Sequence, residues 1–187
     1  MKTDARVRYT KMRIREAFME CLGKKQISRI TVKEICDMAE INRATFYKHY
    51  ADPFELLQKI EEEELDRIQQ KIERAHSEMP EGVLLTVVKG MKAAENPYAL
   101  LASSNGDPGF AARISELFYR AYRPRMAQDL PSCTEAEKDM AYLFISGGCG
   151  QLISAWIREG MQTAPEEVAD RLETICGAFL KSYNQIK

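Results

Sequence analysis

Three helix-start signals follow one another at spacings of ten or eleven residues in the first third of the chain, and they limit what can fold between them. Thr31-Val32-Lys33-Glu34 is a capping box. The threonine hydroxyl can accept the amide of the glutamate, whose carboxylate can reach back to the amide of the threonine. Asn42 is a second N-cap residue. Asp52-Pro53-Phe54-Glu55 is a third start, with a capping aspartate, a proline at the first helical position and a glutamate three residues after the cap. Two short helices are therefore expected, from Val32 to about Ala39 and from Arg43 to about His49.

Elements on either side follow from apolar periodicity. Ile14, Ala17, Phe18, Cys21 and Leu22 form one buried stripe of a helix from about Val7 to Lys24, ended by Gly23 and the polar run Lys24, Lys25, Gln26. In the short helices Val32, Ile35, Cys36, Ala39 and Phe46 point inward. The helix opened by Asp52 runs to about Ala75 and carries Phe54, Leu56, Leu57, Ile60, Leu65, Ile68 and Ile72, with Glu61 to Glu64 as its solvated face rather than a metal site. Pro80 precedes a segment to about Ala94, Asn96-Pro97 a short one, and Asp107-Pro108 one that passes Arg120 before Pro124 disturbs it. Thr134-Glu135-Ala136-Glu137 is a further capping box, opening a helix that Gly160 closes. Pro165 starts the last helix, striped by Val168, Leu172, Ile175, Cys176, Phe179 and Leu180. The fold class is all-α, with about nine helices and no internal repeat.

Two short capped helices joined by a tight turn, preceded by a longer one, are the arrangement of a helix-turn-helix, whose second helix enters the major groove. Such a helix needs small or polar residues outward and apolar ones behind; Arg43, Ala44, Thr45, Tyr47 and Lys48 against Phe46 meet that need. Charge points the same way. Residues 1–50 hold 12 Lys or Arg against 6 Asp or Glu, while the remainder holds 15 against 22.

From Thr31 onward, Thr31-Val32-x-x-Ile35-x-x-x-Ala39-x-Ile41-Asn42-x-x-Thr45-Phe46-Tyr47-x-His49-Tyr50, followed by Leu56-Leu57, closely resembles the signature of TetR-like (TetR/AcrR) transcriptional regulators. The match covers roughly residues 9 to 57. It implies a helix-turn-helix DNA-binding domain over 1–51 and a helical regulatory and dimerisation domain over 52–187. By resemblance Tyr47, His49 and Thr31 hold phosphates, Lys33 and Asn42 lie at the DNA, and Arg43, Ala44, Thr45 and Lys48 face base edges. A half-buried core aromatic is the alternative for Tyr47, and a residue satisfied by neighbouring helices for His49. Arg6 and Arg8 are either a basic arm in a neighbouring groove or a disordered tail. Cys36 replaces an alanine of the pattern, Asn42 a serine, and Pro53 a polar residue that often meets phosphate. Glu40 replaces the turn glycine, so a positive φ there is strained.

Members of this family are dimers, usually joined through their last two helices, which implies a palindromic operator bound by two recognition helices. Gly147, Gly148 and Gly150 inside one helix weaken it by about 1 kcal/mol each relative to alanine, which suits a place where another helix comes close. Gly147, Gly148, Gln151, Ala155, Leu172, Ile175 and Phe179 are the candidate interface. Trp156-Ile157-x-x-Gly160 and Pro165-Glu166-Glu167-Val168-Ala169 resemble the branch that includes the dihydroxyacetone-kinase operon activator, so activation stands beside repression and a protein effector beside a small molecule. Met91, Tyr98, Phe110, Phe118, Tyr122, Met126 and Trp156 are candidate pocket liners or ordinary core. Arg113, Arg120, Arg123 and Arg125 are candidates for an acidic ligand or a solvated face.

No cofactor or metal is called for. Cys21, Cys36, Cys133, Cys149 and Cys176 are widely spaced and read as reduced thiols of a cytoplasmic protein, with Cys133 or Cys149 as conceivable redox sensors. The N-terminal MKTDARVRYTK lacks the apolar core of a signal peptide. Met140 to Ile157 is an uncharged run of eighteen residues, barely long enough to span a bilayer; a helix buried on most sides within the protein explains it better. Two histidines, no Gly-rich phosphate loop and no nucleophile elbow argue against an enzyme. The remaining alternative is an interaction protein on the same fold that uses DNA as a scaffold for a protein partner.

Overall fold

The computed structural model describes residues 2–78, 83–92, 97–107 and 109–185, and these contain nine α-helices, one 3-10 turn and no strand. α1 (Lys2–Lys24) buries the stripe read from its periodicity: Ile14, Phe18 and Leu22 are fully enclosed, Ala17 and Cys21 nearly so. Each large side chain removed from water there contributes about 2 kcal/mol. A 3-10 turn (Ile27–Arg29) leads into α2 (Val32–Ala39), α3 (Arg43–Tyr47) and the long α4 (Pro53–Glu78). Then follow α5 (Val83–Lys92), α6 (Tyr98–Leu101), α7 (Phe110–Asp129), α8 (Glu135–Arg158) and α9 (Pro165–Tyr183).

The chain forms two compact units, one of Met1–Glu64 with Leu100–Pro108 and one of Leu65–Ala99 with Gly109–Lys187. In the first, α1 packs on α2 over Ile35, Cys36 and Ala39, and Phe46 of α3 is fully enclosed. The loop after α6 is tied in by Asn105, whose side-chain amide donates to the Leu22 carbonyl at 2.9 Å and whose own carbonyl accepts from the Ile27 amide at 2.9 Å. In the second unit α7 packs along α8, and α5 along α9. Leu130, Ala141 and Tyr142 centre one cluster there, with Tyr119 edge-on to Tyr142 at 5.1 Å.

Several expectations need correction. α1 begins at Lys2 rather than near Val7, because nothing in the intervening residues breaks a helix; Arg6 and Arg8 are exposed helical residues rather than a disordered tail. α3 ends at Tyr47, two residues early, and α4 continues to Glu78. α7 passes through Pro124. The lost backbone bond, about 3 kcal/mol, is offset by its packing on α8 and by Arg123–Asp139 at 3.1 Å. The acidic run of α4 is not uniformly solvated: Glu61 and Glu64 are buried on the face of Ile60 and Ile68, and Phe54 is 55% exposed. Nor is α8 buried on most sides. Only 28% of its most apolar window is covered within the chain, and by length and composition it is long and apolar enough to cross a membrane.

Candidate nucleic-acid interface

Local hydrogen bonds build the helix-turn-helix as its caps require. The Glu34 amide donates to the Thr31 hydroxyl at 3.3 Å, and the Thr31 amide and hydroxyl donate to the Glu34 carboxylate at 3.0 and 2.8 Å. Lys25 adds a contact to the same carboxylate at 2.5 Å. That lysine first, then Thr31, holds the Glu34 carboxyl down to about 2. The turn after α2 hinges on Glu40, whose φ of 56° and ψ of 43° are left-handed. Glycine is the residue this geometry favours, so the strain expected from sequence is present. Ile41 then donates its amide to the Cys36 carbonyl at 3.0 Å.

Asn42 caps α3 by accepting from the Thr45 amide at 2.8 Å and the Thr45 hydroxyl at 2.9 Å. The hydroxyl of Thr45 is thus engaged by the cap. Arg43, Ala44 and Lys48 are exposed, and Tyr47 is 56% exposed while Phe46 beside it is fully buried. The Tyr47 ring stands edge-on to Phe46 at 5.8 Å, which fixes its direction without enclosing it. Thr31 and Lys33 are exposed at the start of α2. His49 is half-buried, its ring 6.3 Å from that of Tyr50. The nine residues read as DNA contacts thus fall in one stretch of two capped helices, with the phenol of Tyr47 and the cationic side chains of Lys33, Arg43 and Lys48 exposed. A surface of this kind can hold phosphates and reach base edges.

The candidate interface residues of the second unit divide. Gly147 and Gly148 have open space where a side chain would begin, and Gln151 and Ile175 are exposed. Ala155 and Phe179 are half-buried, and Phe179 stacks on Phe144 at 4.8 Å. Leu172, 2% exposed, belongs to the core beneath. Gly150 meets its neighbour inside the chain, where an added Cβ would press on the Ser115 hydroxyl of α7. Sequence reasoning missed Met140, Leu143, Phe144 and Leu152, all large, apolar and exposed on α8. Their signal was present: the uncharged run carries more apolar groups than one buried face can hold.

The pocket candidates Met91, Tyr98, Phe110 and Trp156 are all buried. Tyr98 packs on Phe110 at 5.7 Å, and the Trp156 indole donates to the Thr163 carbonyl at 3.0 Å. The side chains of Phe118, Tyr122, Arg125 and Met126 lie outside the described residues. Arg113 sits 5.7 Å from the Phe110 ring centre, and Arg120 and Arg123 pair with Glu116 and Asp139. Among the described residues no group of His, Cys, Asp and Glu is arranged to hold a metal.

Residues 78–176, just over half of the chain, match the model of a TetR-type transcriptional regulator C-terminal region. An uncharacterized HTH-type transcriptional regulator of Bacillus subtilis (strain 168), YxbF, is 45% identical over 56 residues, which are 29% of this chain and 15% of that protein. Among solved structures, a TetR transcriptional regulator from Streptococcus agalactiae 2603V has a TM-score of 0.72 at 23% identity, covering 94% of this chain and 98% of that one. The dihydroxyacetone kinase operon activator DhaS has a TM-score of 0.64 at 18% identity, covering 92% and 96%. These two likenesses are of fold. With the match across its C-terminal region and the capped helix-turn-helix of its N-terminal unit, the chain belongs to the TetR family of transcriptional regulators.

Proposed function

We propose that the protein is a cytoplasmic homodimer that binds a palindromic operator through α3 and acts as an effector-responsive repressor. The observation that carries this reading is the contrast within α3: Phe46 is fully enclosed, while Tyr47, Arg43, Ala44 and Lys48 lie in solvent. Residues 1–51 are the DNA-binding head and 52–187 the regulatory and dimerisation part. Tyr47, His49, Thr31 and Lys33 hold phosphates, Asn42 orders the helix start, and Arg43, Ala44, Thr45 and Lys48 meet bases.

The exposed apolar side of α8 and α9 supports the dimer. Met140, Leu143, Phe144, Leu152 and Ile175 are each between 48% and 65% exposed, on helices that also offer the open backbone of Gly147 and Gly148. Burying such a face against a second copy removes it from water without a membrane. Two α3 helices then meet successive major grooves about 34–36 Å apart. An apolar effector gains most burial beside Met91, Tyr98, Phe110 and Trp156, and acts by its differential affinity for two conformations. The protein binds and does not turn over substrate.

The test is a titration of an enriched DNA fragment at several salt concentrations. Lys33→Ala lowers the logarithmic salt slope by about 0.9 relative to wild type, one phosphate contact fewer. An unchanged slope and affinity in Lys48→Ala and Arg43→Ala together contradicts the placement of α3 on DNA. A reporter placed behind the fragment falls for a repressor and rises for an activator.

A further inference from the structure

Cys149 on α8 and Cys176 on α9 stand with their sulfurs 3.4 Å apart, although 27 residues separate them in sequence. The other three cysteines are differently placed. Cys21 and Cys36 are buried, which raises both thiols above their usual range, and Cys133 packs beside the Leu130–Tyr142 cluster. Both members of the pair are half-buried rather than enclosed. A disulfide at about 2.05 Å requires the sulfurs to close by roughly 1.4 Å. Beside the pair, a Cβ added at Gly148 or Gly177 would meet nothing within 4 Å, while Gly150 packs against Ser115 of α7, so the closure falls to rotation of the two cysteine side chains.

We propose that Cys149 and Cys176 form an oxidisable dithiol, converted to an α8–α9 disulfide by hydroperoxides. Cys176 is assigned as the attacking sulfur: the hydrogen bond it shares with Cys149 lowers its thiol below the usual range, while the same bond, with burial, raises that of Cys149. The Cys176 thiolate attacks a peroxide oxygen; an S–O bond forms, the O–O bond breaks, and the departing alkoxide leaves as alcohol, or as water from hydrogen peroxide. The Cys149 sulfur then attacks that sulfenic sulfur. An S–S bond forms, the S–O bond breaks, and hydroxide leaves with the thiol proton as water. Two sulfurs lose two electrons in all and the peroxide gains them. The bond staples the two helices that carry the exposed apolar face, and it needs no residue of the helix-turn-helix.

The experiment treats the purified full chain with hydrogen peroxide, counts free thiols after denaturation, and maps linked peptides by mass. Wild type falls from five thiols to three, with one peptide joining Cys149 to Cys176, and dithiothreitol restores five. Cys149→Ala accumulates a dimedone-trappable sulfenic acid at Cys176, whereas Cys176→Ala leaves Cys149 unmodified. Retention of five thiols overturns the proposal, as does a loss that maps to Cys133 or to links between chains. The wild-type peptide map decides the matter even where a variant folds poorly.

Discussion

Arg15 on α1 holds the buried carboxylate of Glu64 on α4 at 2.5 Å, while its other nitrogen meets the exposed carboxylate of Glu63 at 2.6 Å. Removing the guanidinium leaves Glu64, whose side chain is 3% exposed, without that cation. Breaking a buried pair in this way destabilises by about 3–5 kcal/mol. Arg15→Ala is therefore expected to lower unfolding stability in urea by about 3 kcal/mol. Glu63→Gln, which removes the 62% exposed partner, should change it by less than about 1 kcal/mol. Equal small effects would refute the burial argument.

The turn of the helix-turn-helix offers a stabilising change. Glu40 adopts φ 56° with a Cβ in place, and its side chain gains only an exposed contact to Arg13 at 3.8 Å. A non-glycine residue in that region is disfavoured by about 1–2 kcal/mol, partly offset by the greater freedom glycine loses on folding. Glu40→Gly should raise stability by about 0.5–1 kcal/mol, read as a higher urea midpoint at constant slope. A lower midpoint would mean the Arg13 contact outweighs the backbone strain.

Acid should act on the cap of α2. The folded Glu34 carboxyl is held at about 2, below its ordinary value of 4.5, by Lys25 first and then Thr31. A depressed carboxyl contributes stability that is present above the unfolded value and lost as pH falls toward the folded one. The window is therefore about pH 4.5 down to 2. Glu34→Gln keeps a capping side chain without the charge, so its stability should fall less steeply across that window. Parallel wild-type and variant curves would contradict the role of the Lys25–Glu34 pair.

What could be read from sequence was what neighbours in sequence decide. Thr31 with Glu34, Thr134 with Glu137 and Asn42 with Thr45 are bonds across three residues, and each forms as its motif requires. The α1 stripe and the strain at Glu40 were legible for the same reason. Glu64 was not, because its burial depends on Arg15, 49 positions away. Pro124 sits inside α7 because packing on α8 outweighs a local rule. Cys149 finds Cys176 only once α8 and α9 are folded. The exposed side of α8 is visible in sequence as an excess of apolar residues, but only Gly147, Gly148, Gln151 and Ala155 of it enter the expected interface, not Met140, Leu143, Phe144 and Leu152.

That side gives a sharp test of assembly. Leu143 is 64% exposed within the chain, so Leu143→Glu should leave the melting of the separated chain unchanged while blocking association. Sedimentation is expected to show a dimer for wild type and a monomer for the variant, with operator affinity reduced at least tenfold. A dimer of wild-type affinity in the variant would place the interface elsewhere.

The most direct measurement is a selection of bound fragments from random DNA, with wild type and Tyr47→Ala side by side. Tyr47 is 56% exposed and lies at the end of α3, so its truncation spares the core while removing the phosphate contact proposed for it. Wild type is expected to select a two-half-site palindrome, bound about five- to tenfold more weakly by the variant across all sequences, the loss of one hydrogen bond. No enriched sequence from folded, dimeric wild-type protein, or equal enrichment by the variant, would contradict that expectation.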